Sequence, residues 1–84
     1  ILCATTASKC LNEVAHHVLN KYDCDICMVL NMKSKRVSFR KTKKRDIDVD
    51  LGALAKKIAE GGGHPYAAGG KITDMVMSIT KMLG

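Results

Sequence analysis

The chain has 84 residues, of which 46% are hydrophobic, with a mean hydropathy of −0.03 and a net charge of +6. That length makes one small domain, and the balance of apolar and charged residues excludes a disordered segment. No apolar run reaches the ~18–20 residues of a membrane-spanning helix, and nothing has the basic-then-apolar order of a secretory signal. A pI of 9.3 favours anionic partners such as nucleic acid, nucleotides or polyphosphate. The first residue is Ile1 rather than Met, so a piece of a longer, cytoplasmic polypeptide is expected.

In chain order, residues 1–5 are apolar and predict an opening strand. Ser8 can cap a helix running to about Asn20, with Leu11, Val14, Ala15, Val18 and Tyr22 at the i, i+3, i+4, i+7 spacing of a buried face. Lys9, Asn12, Glu13 and His16 then fall on the wet side. His16 and His17 are adjacent and so point about 100° apart on a helix, which is wrong for gripping one ion. They are expected to be ordinary surface residues.

Residues 25–31 predict a central strand, apolar on both faces from Ile26 to Leu30. Cys24 and Cys27 form a C-x-x-C at its start, but residues three apart on a strand face opposite ways and make poor metal partners. With no secretory context, buried reduced thiols are the expectation for the four cysteines. After a turn over 31–35, residues 36–41 predict an antiparallel partner strand. Its alternation sets Val37 and Phe39 on one face and the donors Arg36, Ser38 and Arg40 on the other. Lys41, Lys43, Lys44 and Arg45 make a basic loop, either simply solvated or steering phosphates.

Asp48 or Asp50 can cap the next helix, whose stripe is Leu51, Leu54, Ala55 and Ile58, with Lys56 and Lys57 outside and Gly61 ending it. Gly61-Gly62-Gly63-His64-Pro65-Tyr66-Ala67-Ala68-Gly69-Gly70 follows. The expectation is a tight glycine turn leading into a short helical turn over 65–68, since proline suits a first helical position. Such a turn offers free backbone N–H groups to an anion, with His64 beside it. Residues 71–73 predict a short strand. Asp74 is then expected to cap a final helix lined inside by Met75 or Val76, Ile79, Met82 and Leu83. The order β-α-β-β-α-(turn)-β-α predicts a small α/β domain with a mixed sheet flanked by helices.

Ser38-Phe39-Arg40, Asp48-Val49, Leu54-Ala55-Lys56-Lys57 and the Gly61-Gly62-Gly63-His64-Pro65-Tyr66-Ala67-Ala68-Gly69 run occur in one order and spacing. Over most of its length the chain resembles the C-terminal DHH-associated domain of the DHH phosphoesterases. That superfamily includes RecJ-type exonucleases, nanoRNases, phosphoadenosine-phosphate phosphatases, cyclic-dinucleotide phosphodiesterases and exopolyphosphatases. The resemblance implies that residues 1–84 are a substrate-binding domain of a hydrolase. Its catalytic partner would be an N-terminal DHH domain holding manganese or magnesium.

It further implies that Arg40 and Ser38, with Gly61, Gly62, Gly63 and His64, hold a phosphate-bearing substrate such as a nucleotide or short oligonucleotide. Arg36, Lys43 and Lys44 would add secondary phosphate contacts. The eight acidic residues are scattered over turns and caps. No catalytic or metal-ligating residue is therefore expected in this chain, and the fragment alone should hydrolyse nothing. Glu60 departs from the family pattern, which often has glycine there; a carboxylate beside an anion site weakens it unless it points away or pairs with Lys56 or Lys57. The alternative is a non-catalytic nucleic-acid-binding module, similar to the C-terminal domain of alanyl-tRNA synthetases.

Overall fold

The computed structural model describes residues 1–83. Its elements are β1 (Leu2–Thr6), α1 (Leu11–Lys21), β2 (Ile26–Asn31), β3 (Arg36–Lys41), α2 (Leu51–Ile58), β4 (Gly62–His64), β5 (Ala67–Lys71) and α3 (Asp74–Leu83). The five strands form one mixed sheet in the order β1-β2-β3-β5-β4, parallel between β1 and β2 and antiparallel elsewhere. The expected α/β class with a mixed sheet is therefore the observed one.

Strand alternation divides the core in two. Met28, Leu30, Val37, Phe39 and Ala68 point to one face, where Leu51, Ala55 and Ile58 of α2 and Val76 of α3 cover them. Cys27 and Val29 point to the other and meet Ala15 and Leu19 of α1. β2 is thus buried on both faces, as its unbroken apolar run predicts. The β2–β3 turn is closed by Asn31, whose Oδ1 accepts from the backbone N–H groups of Lys33 and Ser34, both at 3.1 Å.

Several local expectations are corrected. Ser8 does not cap α1. The chain turns through Cys10, whose left-handed φ of 55° redirects it into a helix beginning at Leu11 with no side-chain cap. Leu19 takes the buried place expected for Tyr22, which is 61% exposed because α1 ends before it. For α2 the cap is Asp50, accepting from Ala53 N–H at 3.1 Å. α3 is capped by Thr73, not Asp74: Thr73 Oγ1 accepts from Val76 N–H at 3.2 Å and donates to the Ile58 carbonyl, pinning α3 to the end of α2. Only Val76 of α3 is fully buried; Ile79 is half-buried, while Met75, Met82 and Leu83 are exposed.

The cysteines are not all reduced. Cys3 and Cys24 form a disulfide with their Cα atoms 6.2 Å apart, tying β1 to the loop after α1. Cys27 is a free buried thiol and Cys10 a free exposed one.

The largest correction concerns the glycine-rich stretch. No helical turn forms over 65–68, so no helix N-terminus faces an anion there. Residues 62–71 instead make a β-hairpin, with Gly62 opposite Gly69, Gly63 opposite Ala68 and His64 opposite Ala67. Pro65 and Tyr66 are its tip. Of the strand expected over 71–73 only Lys71 is in a strand, as the last residue of β5, which starts at Ala67; Ile72 and Thr73 lie beyond it. Pairing decides the outcome: β5 lies against β3 from Arg36↔Lys71 to Arg40↔Ala67, and that ladder outweighs the weak strand preference of Gly and Ala.

α2 ends at Ile58 rather than Gly61. Its C-terminal reversal is made by Glu60 at φ 51°, and the Ala55 carbonyl accepts from both Ala59 and Gly61. Close packing then fixes the hairpin beneath α2. A Cβ on Gly61 would strike the Gly69 carbonyl oxygen and lie 2.6 Å from the Gly70 Cα. Leu51 N–H, otherwise unpaired at the start of α2, donates to the Pro65 carbonyl at 2.8 Å.

Candidate functional site

Helix α1 covers β1, β2 and part of β3, but not the hairpin. Residues paired across antiparallel strands share a face. Two rungs of the uncovered face therefore read Arg40–Ala67–His64 and Ser38–Gly69–Gly62. Apart from Arg40 and His64 these side chains are small, which leaves a shallow shelf of nearly bare sheet beside α1. Arg40 and His64 stand two strands apart, roughly 10 Å between backbones.

Arg40 is held over this shelf by three hydrogen bonds. Its Nε donates to Asn12 Oδ1 at 3.0 Å, and Nη1 donates to the Phe39 carbonyl at 2.8 Å and to the Ala68 carbonyl at 3.4 Å. A guanidinium carries five N–H donors. The two on Nη2 have no protein partner among the described residues. A half-buried, tethered arginine with its outer edge unspent is organised to take an anionic oxygen.

Arg40 lines a groove of about 350 Å³ with Asn12, His16, Thr42, Lys43 and Tyr66, among others. A second concavity continues past His16, Thr42 and Lys43 to Asn20 and Lys44. The basic loop contributes unequally. Arg45 donates to Asp23 and Asp25, at 3.0 and 2.9 Å, and Lys41 Nζ donates to the Ile47 and Val49 carbonyls. Lys44 lies 3.8 Å from the Asp23 carboxylate. Lys43 makes no ion pair among the described residues, so it is the loop cation left to the groove.

The structure thus brings together Arg40 and Lys43, with Ser38 on the adjoining rung. His64 stands at the hairpin end, its ring stacked on Tyr66 at 6.0 Å between centroids and 14° between planes. Arg36 lies four residues along β3, roughly 13 Å from Arg40, and is exposed. Gly62 and Gly63 line a separate groove with Asp50, Gly52, Ala53 and Lys56. Gly61 is spent on packing. Glu60 is exposed and makes no ion pair with Lys56 or Lys57 among the described residues.

Sequence reasoning misses three groove residues. Periodicity sets Asn12 and His16 on the wet face of α1, which is correct as far as it goes, but that face turns toward β3. Tyr66 carries a weak signal as one of only two tyrosines, placed in a small-residue segment.

The family model described as the DHHA1 domain matches residues 3–83. The chain belongs to this family, the accessory domain of DHH-type phosphoesterases. Among solved structures, the DHHA1 chain is similar to an uncharacterized protein from Helicobacter pylori G27, with a TM-score of 0.67 and 23% identity over 95% of this chain. It is also similar to a pGpG-specific phosphodiesterase from Vibrio cholerae, with a TM-score of 0.56 and 20% identity over 80% of this chain. It spans about a quarter of each, 25% and 24% respectively. At these identities the likeness is one of fold. No curated protein matches the chain.

Among the described residues no three His, Cys, Asp or Glu side chains come together as a metal site. The donor set of this domain therefore does not fit a two-metal centre, which needs several carboxylates and imidazoles converging on ions ~3.5–4 Å apart. No helix among the described residues is long and apolar enough to cross a membrane.

Proposed function

We propose that this DHHA1 domain holds the phosphate-bearing substrate of a DHH-family phosphodiesterase. The substrate class is a nucleotide or short oligonucleotide, and the hydrolytic centre, with its manganese or magnesium, belongs to an N-terminal DHH domain. The observation that carries the reading is Arg40: three hydrogen bonds tie it to Asn12, Phe39 and Ala68, Nη2 has no partner among the described residues, and Arg40 lines a groove together with Lys43.

The chemistry assigned to this chain is positioning. Nη2 of Arg40 binds a non-bridging phosphate oxygen, and the tether keeps it from swinging away when the phosphate leaves. Lys43 adds a mobile charge that attracts the anion before contact. The shelf of Gly62, Gly69 and Ala67 keeps side chains out of the way, so that a flat ligand approaches the sheet closely. Holding a phosphodiester in one place relative to a second domain is how a non-catalytic domain raises turnover.

The reading is tested by fluorescence anisotropy with a labelled short oligonucleotide at low and moderate salt. Arg40→Ala is expected to weaken binding by roughly tenfold or more, from the loss of charge-assisted hydrogen bonds worth about 1.5–3 kcal/mol. Lys43→Gln should weaken it less and flatten its salt dependence. Equal affinity in wild type and Arg40→Ala, with both variants folded, would remove the basis of the proposal.

A further inference from the structure

Tyr66 is 66% exposed although its side chain is a large aromatic one. It sits at the tip of the β4–β5 hairpin, on the wall of the groove that holds Arg40 and Lys43. One side of it is backed by the imidazole of His64, nearly parallel at 14° and 6.0 Å between centroids, within the range of an offset stack. His64 itself does not line the groove. An exposed aromatic side chain that is backed by an imidazole and lines the groove of Arg40 and Lys43 has the form of a stacking platform.

We infer that Tyr66 is a nucleobase-stacking residue, and that the domain selects ligands carrying a base beside the phosphate. The inference rests on the phosphate reading of the same groove and deepens it. A nucleobase lies flat on the open side of the Tyr66 ring, extending the His64–Tyr66 stack by one member, while its phosphate reaches Arg40 Nη2. Every base has a π-face, so such a platform tolerates sequence and favours ligands that carry a base over those that do not. Inorganic polyphosphate satisfies Arg40 and Lys43 and leaves the ring bare. The flat shelf of Ala67, Gly69 and Gly62 suits an unpaired nucleotide, whose base is free to splay out.

The chain has two tyrosines and no tryptophan. Tyr22, the other one, stands at the far end of α1 beside Lys21 and outside this groove. Tyr22→Phe therefore leaves Tyr66 as the only tyrosine emitter. In that background, adenosine monophosphate should quench the emission, and tripolyphosphate at equal occupancy should leave it unchanged.

By calorimetry, Tyr66→Ala should weaken the nucleotide by roughly fivefold to a hundredfold and tripolyphosphate by less than about twofold, while Tyr66→Phe keeps the nucleotide affinity. If the nucleotide binds in an Arg40-dependent way but neither quenches Tyr66 nor responds to Tyr66→Ala, the stacking inference is overturned and the phosphate site survives. If quenching occurs and Arg40→Ala changes nothing, the platform stands and the phosphate assignment fails. Absence of binding by either ligand overturns both.

Discussion

Asn12 in the first turn of α1 and Arg40 near the end of β3 are joined by a 3.0 Å hydrogen bond across 28 residues of sequence. The bond, with those of Nη1, ties the guanidinium down and leaves Nη2 without a partner among the described residues. Under the proposed reading, Asn12 acts by positioning the guanidinium that would take the phosphate. Asn12→Ala should therefore reduce nucleotide affinity about fivefold, the equivalent of one hydrogen bond of about 1 kcal/mol, and by less than Arg40→Ala. Thermal stability should barely change, since Asn12 is exposed. An affinity equal to wild type in Asn12→Ala would show that the tether has no role in binding.

The three consecutive glycines Gly61 to Gly63, leading into the hairpin, should not be equivalent. Gly61 has no room for a Cβ, and Gly63 has φ +146°, where side chains are disfavoured; a methyl group placed on Gly62 would meet nothing within 4 Å. Gly61→Ala is expected to cost about 1–3 kcal/mol, the range for overpacking, in urea denaturation. Gly62→Ala should be nearly neutral in stability. Equal losses at both positions would contradict the hairpin register.

Asp23 gives a pH dependence of known sign. The hydrogen bond from Arg45 holds its carboxyl below the usual value, and the charge of Arg45 adds to this. A folded-state value below the unfolded one, about 3.9, adds stability that is complete above it and lost as pH falls through the folded value. Because Asp23 is exposed the effect should be small. The urea midpoint is expected to lose this contribution below about pH 4, and Asp23→Asn should blunt the fall. Identical acid profiles for the two proteins would contradict it.

The cysteines separate by reactivity. Burial pushes the Cys27 thiol up to about 11, so it is protonated and slow to react at neutral pH. Cys10 is exposed, and Cys3 and Cys24 are bonded to each other. Alkylation of the native oxidised protein should modify Cys10 alone, and unfolding without reductant should add Cys27 alone. Reduction opens a loop of 21 residues' separation and should lower stability by about 3 kcal/mol on the chain-entropy account. Four alkylated cysteines in unreduced, unfolded protein would rule out the bridge.

Sequence patterning carries far where side chains alternate in character. Val37 and Phe39 against Arg36, Ser38 and Arg40 place β3 correctly at both ends, and Leu51, Ala55 and Ile58 mark the buried stripe of α2. It fails where alternation vanishes. Ala67-Ala68-Gly69-Gly70 has no polar–apolar contrast to reveal a strand, and its conformation comes from pairing with β3 some thirty residues away. The Cys3–Cys24 bridge is hidden for a similar reason: Cys3 comes near only once β1 lies parallel to β2, with Cys3 opposite Cys27. In the site itself, Arg40 is legible as a donor on a polar strand face. Its bond to Asn12 and the exposure of Tyr66 are not, because both depend on which way α1 and the hairpin tip lean over the sheet.

We propose above all that phosphate binds at the free edge of Arg40. Proton–nitrogen correlation spectra of the isotope-labelled domain, recorded with increasing amounts of a 5′-phosphorylated dinucleotide, test it most directly. Saturable shifts are expected at the Arg40 Nε–H, the Asn12 side-chain amide and the backbone amides of Lys43, Tyr66 and Ala67, all abolished in Arg40→Ala. Shifts confined to other surfaces, or an unchanged set in Arg40→Ala, would contradict it.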